Sequence, residues 1–271
     1  VTPTNPRPPA VPVADGRAQT GAGSSHGSGS PAPAPPAGTR IPAGGAPKPR
    51  LLDLFCKAGG ASRGYHDAGF EVVGVDHEPQ PNYPFEFVQR DALEALSDAS
   101  FMAQFVAVAG SPPCQSESDL RHRWPDNDYP DLLTPTLALL ADSPIPWVVE
   151  NVASTTKMPG SLVLCGTEFG LKARCRDGRT RWLKRHRRFG ASFFIMGAGG
   201  CHCSRLPIGG VYGTGGGGPM TRGYKFHAPD GREAMGIDWM SWPELAQAIP
   251  PAYTRHIGEA LMAHLRAEAA A

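Results

Sequence analysis

Leu51–Glu78, LLDLFCKAGGASRGYHDAGFEVVGVDHE, reads as an apolar run, a glycine-containing turn, an amphipathic segment and a second apolar run ending in acids. That order predicts a β-α-β unit with a ligand at its first turn. Leu51–Phe55 is the first strand, Gly59 and Gly60 close it, ASRGYHDAG is a short helix, and Gly69 suits its C-terminal end. The turn lacks the G-x-G-x-x-G fingerprint of dinucleotide sites and the lysine-serine/threonine pair of a P-loop. It carries instead Cys56 and Lys57, where cradling loops hold small residues.

Outward from this unit, strands and helices alternate. A short strand is expected at Glu86–Gln89, a helix from Ala92, and a strand in FVAVAG that runs into the loop SPPCQ. TPTLALLAD reads as a helix and IPWVVENV as a strand; SLVLCGTEFGL is expected to be a short helical piece and RRFGASFFI a further strand. This pattern defines the fold class as α/β, a doubly wound, mostly parallel sheet. Ligands in such sheets bind beyond the carboxyl ends of the strands. Asp53–Gly60, Asp76, Asp91, Ser111–Gln115 and Glu150–Asn151 all fall at or near predicted strand ends. From Gly197 to Gly231 glycine and turn residues dominate, which predicts a loop-rich insertion. REAMGID is read as a short helix, Trp242–Pro243 as a turn, and the segment from Pro251 as a helix with Ile257, Leu261, Met262 and Leu265 at helical spacing.

The chain has 271 residues and a formal net charge of +1. Residues 1–49 are rich in Pro, Ala, Gly and Ser, and such a composition buries too little surface to offset ordering entropy, so a disordered tail is expected there. Residues 50–271 are long enough for one domain. No apolar export segment and no membrane-length apolar run occurs, so a cytoplasmic protein without membrane association is expected. Six cysteines are too few for a disulfide framework, and reduced thiols are expected. The charge is unevenly spread. Lys172, Arg174, Arg176, Arg179, Arg181, Lys184, Arg185, Arg187 and Arg188 face the single acid Asp177. This run is either a solvated loop or a positive surface for a polyanion such as nucleic acid.

Three groups of residues carry chemistry. Asp76 ends the second strand, where an acid accepts from ribose hydroxyls. Asp91 is placed to accept from an adenine amine, and equally to cap the helix that follows. Cys114 follows a strand and two stiffening prolines, and is the candidate nucleophile, with Glu150 as an acid partner. Glu150 itself is either held by an arginine or kept for proton transfer or binding of a polar edge.

Together these segments resemble the C5-cytosine DNA methyltransferases, particularly short forms from bacteriophages of high-GC hosts. The resemblance spans Leu51 to about Leu265. DLFCKAGGASRG is similar to the first cofactor motif, GVDHEP to the ribose-binding strand and RDAL to the segment with the adenine-contacting acid. GSPPCQ is similar to the catalytic loop, ENV to the base-reading motif, KRHRRF to the arginine motif and AQAIPPAYTRHIG to the closing cofactor motif.

The resemblance implies a Rossmann-like class I methyltransferase fold, S-adenosyl-L-methionine as cofactor, and double-stranded DNA with a flipped cytosine as partner, acted on by a monomer in a bacterial or phage-infected cell. Cys114 attacks cytosine C6, Glu150 beside Asn151 holds N3 and the exocyclic amine, and Arg187, with Arg185 as the neighbouring match, steadies the base. Asp53, Phe55, Cys56, Lys57, Gly59, Gly60, Asp76, His77, Asp91, Ala92, Pro112 and Gln247 are the implied cofactor contacts. Gln115, Ser118, Arg121 and Arg123 after the catalytic cysteine, with Arg174 and Arg181, are the implied DNA contacts. C5 transfer on RNA, transfer of a modified methyl-type group, and a non-catalytic DNA-binding decoy are the alternatives.

Four features depart from the family pattern. The target-recognition insertion is short, about 190–232. Leu183 stands where a glutamine is usual, and AQA replaces GNS. Lys57 adds a cation to the turn, facing solvent or a phosphate, or else pairing with a carboxylate, the cofactor methionine's own or an additional one on a carboxylated cofactor. Cys165, Cys175, Cys201 and Cys203 are expected to be ordinary thiols without a metal, and a four-thiolate zinc site is the alternative, held back by the wide Cys165–Cys175 gap.

Overall fold

Period-two alternation of side chains builds the sheet. In Arg50–Leu54 (β1), Leu51 faces one layer of helices and Leu52 and Leu54 face the other. Glu71–Asp76 (β2) divides in the same way, with Val72 on the first face and Val73 and Val75 on the second. Asp53 therefore points to the face of Leu51 and is fully buried there.

The computed structural model describes residues 47–113, 130–158, 160–213, 217–220 and 223–271, all within the unit that runs to Ala271. Glu86–Gln89 (β3), Ala107–Gly110 (β4), Trp147–Val152 (β5), Leu162–Leu164 (β6) and, after two strands of a smaller sheet, Arg187–Ala191 (β9) complete a seven-stranded sheet in the order β3-β2-β1-β4-β5-β9-β6. β1 to β5 pair in parallel, and β9 runs antiparallel between β5 and β6. The chain moves outward from β1 to β3 and returns to the other side of β1 at β4, so a switch point lies between β1 and β4.

Gly60–Asp67 (α1) and Pro251–Ala270 (α7) cover the first face, with Tyr65, Tyr253, Ile257, Leu261 and Leu265 in one core with Leu51 and Val72. Ala92–Ser97 (α2), Ala99–Met102 (α3) and Leu133–Ala141 (α4) lie on the other, which buries Leu96, Leu133 and Leu140 with Leu52 and Val149. α1 and α7 approach closely at glycines. A Cβ on Gly64 would fall 2.1 Å from Thr254 Oγ1 and 2.2 Å from the Pro251 carbonyl oxygen.

A third core lies outside the main sheet. Lys172–Arg174 (β7), Thr180–Leu183 (β8) and Ile208–Gly209 (β10) form a small sheet, and Gly218–Met220 (β11) with Gly223–Lys225 (β12) a hairpin. With Ala228–Met235 (α5) and Trp242–Gln247 (α6) they bury Leu183, Phe226, Met235 and Leu245. Ala58 of the first turn belongs to this core, and Trp239 Nε1 donates to its carbonyl at 2.9 Å.

Of the two readings of Lys172–Arg188, the solvated loop does not hold: the run forms the β7–β8 hairpin leading into β9, because Ala173, Cys175 and Leu183 alternate into the third core. SLVLCGTEFGL opens with strand β6 before a 3-10 turn at Gly166–Phe169. Trp242–Pro243 opens helix α6; proline is tolerated in a first turn, and Ser241 N and Oγ both donate to Glu244 Oε2. The expected disordered tail lies, up to residue 46, outside the described residues.

Candidate active site

Beyond the carboxyl ends of β1, β4 and β5 lies a cavity of about 600 Å³. Its wall combines the first turn (Asp53, Phe55, Cys56, Lys57, Gly60), His77 and Glu78 after β2, Ser111–Pro113 after β4, Glu150 of β5, Arg187 of β9 and Glu244–Ile249 segments around α6. Phe55 and Lys57 adopt positive φ, at 57° and 44°, and Gly59 follows at 82°. Left-handed backbone at two non-glycine residues stores strain of a kind that collects at ligand sites. The close packing of the turn explains Gly60, since a Cβ there would lie 2.7 Å from the Ile249 carbonyl oxygen.

Asp53 is the buried acid of this wall. Ser62 Oγ donates to its Oδ2 at 2.5 Å, and Tyr83 Oη donates to Ser62 Oγ at 2.9 Å. Its Oδ1 is buried and has no hydrogen-bond partner among the described residues. Burial pushes the Asp53 carboxyl up to about 7; the Ser62 hydrogen bond opposes this, and Asp76 and Glu150 add to it. Cys56 is buried beside two acids, Asp53 and Asp76, and burial pushes its thiol far up, so it is a packing residue and no nucleophile.

Glu150 is 8 % exposed and sits among apolar neighbours on the sheet. Arg187 Nε lies 2.9 Å from Glu150 Oε1, an ion pair whose N–H is not aligned on the oxygen, so Oε1 keeps its capacity to hydrogen-bond. Burial raises the Glu150 pKa, against the lowering by Arg187 and Arg185. Asn151, fully buried, donates from Nδ2 to the Pro112 carbonyl at 3.1 Å and accepts from Val152 N. It thereby fixes the Pro112–Pro113 segment against β5.

Several expected residues are placed otherwise. Asp76 is buried and does not line the cavity, because its oxygens accept from the amides of Lys57 and Glu78, both at 3.1 Å. Glu78, not singled out from the sequence, lines the cavity in its place. Asp91 caps α2 through Leu93 N and Glu94 N; neither it, Ala92 nor Gly59 lines the cavity. Lys57 Nζ pairs with Glu78 at 2.8 Å and with Asp76 at 3.6 Å, so this chain's own acids are the carboxylates it meets. Arg185 is a brace and not a cavity residue: it donates to the carbonyls of Val211 and Ala246, while Tyr253 Oη donates to its own carbonyl. Arg181 is held by Asp177 and lies over the Tyr224 ring, whereas Arg174 is exposed. Cys114, Gln115, Ser118, Arg121 and Arg123 lie outside the described residues.

Met240 and Glu244 also line the cavity, and a turn at Trp242–Pro243 gives no sign of them. Cys175 is buried in the third core, and the other three cysteines of the alternative zinc set meet His186 instead of it.

The sheet order and covering helices are those of a class I, Rossmann-like S-adenosylmethionine-dependent methyltransferase fold. The chain is similar to the methyltransferase EhMeth of Entamoeba histolytica (TM-score 0.53, 12% identity, 81% of this chain and 99% of that one). It is also similar to DNMT2 of Spodoptera frugiperda (TM-score 0.50, 11% identity, 79% and 99%). In sequence it is 29% identical over 130 residues to the type II methyltransferase M.AgeI of Thalassovita gelatinovora, which is 42% of this chain and 30% of that protein. It is 31% identical over 77 residues to M.FnuDI of Fusobacterium nucleatum, 26% and 22% of the two chains. The matches thus span under a third of either curated relative. No family model matches the chain. Among the described residues no helix is long and apolar enough to cross a membrane.

Proposed function

We propose that this chain is an S-adenosylmethionine-dependent DNA (cytosine-5)-methyltransferase that acts through Cys114 on a flipped base. One observation carries the reading: Glu150, buried and paired with Arg187, shares a cavity with the strained Asp53–Gly60 turn and with Pro113, the residue that precedes Cys114. The names of both curated relatives, type II methyltransferases, support methyl transfer.

The wall suits the cofactor's chemistry. Asp53 Oδ1 has no partner among the described residues and Glu78 lines the cavity, so both can accept from an ammonium or ribose hydroxyls. Lys57 holds Glu78 in place through their ion pair. S-adenosylmethionine, when bound, supplies an electrophilic methyl group. The residues of the chain then act on cytosine. The Cys114 thiolate adds to C6, and the displaced electron pair makes C5 nucleophilic. Glu150, held towards its protonated form by burial, donates to N3 and offsets the charge that develops there. Arg187 keeps Glu150 in place. Loss of the C5 proton after transfer expels the Cys114 thiolate and restores the ring.

C5 and C6 are stacked in a duplex, so the base leaves the helix to react. Lys172, Arg174, Arg176, Arg179 and Lys184 are exposed on and beside the β7–β8 hairpin, a set of cations suited to backbone phosphates. The test is expression of the full chain in a methylation-free host, followed by sequencing of modified cytosines. Modification by the wild-type chain and none by Cys114→Ala is expected. Modification that survives Cys114→Ala, or that appears on RNA and not on DNA, sinks the reading.

A further inference from the structure

We propose that Cys165, His186, Cys201 and Cys203 form a structural zinc site. These four residues come from three separate segments: the start of the 3-10 turn after β6, the link between β8 and β9, and the loop after β9. Their ligand atoms all lie within 4.8 Å of one another. Cys165 Sγ is 3.4 Å from Cys203 Sγ, and His186 Nε2 is 3.2 Å from Cys201 Sγ and 4.0 Å from Cys203 Sγ. Ligand atoms on a zinc tetrahedron sit about 3.5–3.8 Å apart, given Zn–S and Zn–N bonds of about 2.3 and 2.0–2.1 Å. The observed separations bracket that spacing.

The surroundings suit thiolates. Thr167 Oγ1 donates to Cys165 Sγ at 3.4 Å and reaches Cys201 Sγ at 3.8 Å, and the amide of Cys203 donates to Cys201 Sγ at 3.4 Å. Donors of this kind spread the charge of three bound sulfurs and orient them. Thr167 in turn accepts from His202 N at 3.0 Å, which ties the C-x-C loop to the turn that carries Cys165.

Packing holds only the start of this loop. Phe193 is buried in the first core and Ile195 packs against it, but Phe194 and Met196 are 81% and 70% exposed, and GAGG precedes the first cysteine. An ion at the cluster would anchor the cysteine-bearing end of the loop, where Cys201 is exposed and Cys203 half-buried. His186 lies between Arg185, which braces the third core, and Arg187, which holds Glu150. The ion would therefore fix the link that sets both arginines. The proposal rests on the cluster alone and holds whatever reaction the cavity performs.

The site is tested on the full chain, purified without added metal or chelator, by elemental analysis and by mass spectrometry of alkylated thiols. One zinc per chain is expected. Cys201→Ser and His186→Ala should lose it, and Cys175→Ser should keep it. Cobalt(II) added to the metal-free chain should give the visible bands of tetrahedral thiolate coordination, absent in Cys201→Ser. Folded protein with no zinc and no cobalt bands overturns the proposal. So does iron in place of zinc, a Cys165–Cys203 disulfide in the fresh protein, or undiminished zinc in His186→Ala. Should the two ligand variants fail to fold, the wild-type titration and Cys175→Ser still decide it.

Discussion

Asp53→Asn should reverse part of the chain's loss of stability at neutral pH. Asp53 is fully buried, its Oδ1 has no partner among the described residues, and its folded pKa of about 7 lies above the ordinary value of 3.8. Between those values the folded state holds a proton that the unfolded chain has released. Stability from this group is therefore complete below about pH 4 and declines as pH rises towards and through about 7. The full interval corresponds to ~4 kcal/mol. Between about pH 5 and about pH 8 the wild-type chain should lose ~2–3 kcal/mol relative to Asp53→Asn. The asparagine oxygen can still accept from Ser62, so the variant's own cost should stay near ~1 kcal/mol and not vary with pH. Urea unfolding of both proteins across that range measures the difference. Parallel curves, with a constant gap at every pH, would refute the reasoning, because Asp53 would then be ionised in the folded state throughout.

Further outcomes are expected elsewhere. Glu150→Gln should keep cofactor binding by calorimetry and lower the methyl-transfer rate by roughly 10²–10⁴, the usual scale for a positioned acid; an unchanged rate would remove Glu150 from the chemistry. Asn151→Ala should lower the same rate, since Asn151 fixes the Pro112–Pro113 segment that precedes Cys114; an unchanged rate would remove that role. Gly64→Ala should destabilise the chain by ~1–3 kcal/mol or more in thermal unfolding, because the new methyl meets Thr254 and the α7 backbone. Tyr253→Phe should cost ~1–3 kcal/mol in the same assay, as it leaves the buried Arg185 carbonyl without its donor.

The apolar runs LLDLF and FEVVGV, the glycines between them, and the helical spacing after Pro251 were enough to place β1, β2, α7 and the turn after β1. Those elements are built from local periodicity, which a sequence carries directly. The roles of single polar residues were not so carried. Asp76 and Glu78 are two positions apart, and nothing in the string GVDHE tells which one turns inward to the amides of Lys57 and Glu78 and which one faces the cavity. The same holds for Arg185 and Arg187: one braces carbonyls and the other meets Glu150, a difference set by where β9 begins.

The sequence by itself determined the layer architecture and the end of the sheet where the cavity lies, because both follow from the order and period of apolar residues. Only the tertiary structure decided which side chains share a site. That Cys165 meets His186 and not Cys175 depends on the pairing of β6 with β9 and on a glycine-rich loop folding back, contacts between segments remote in the chain. A spacing rule cannot express them, since the distance in space is fixed by strand register and not by the number of intervening residues.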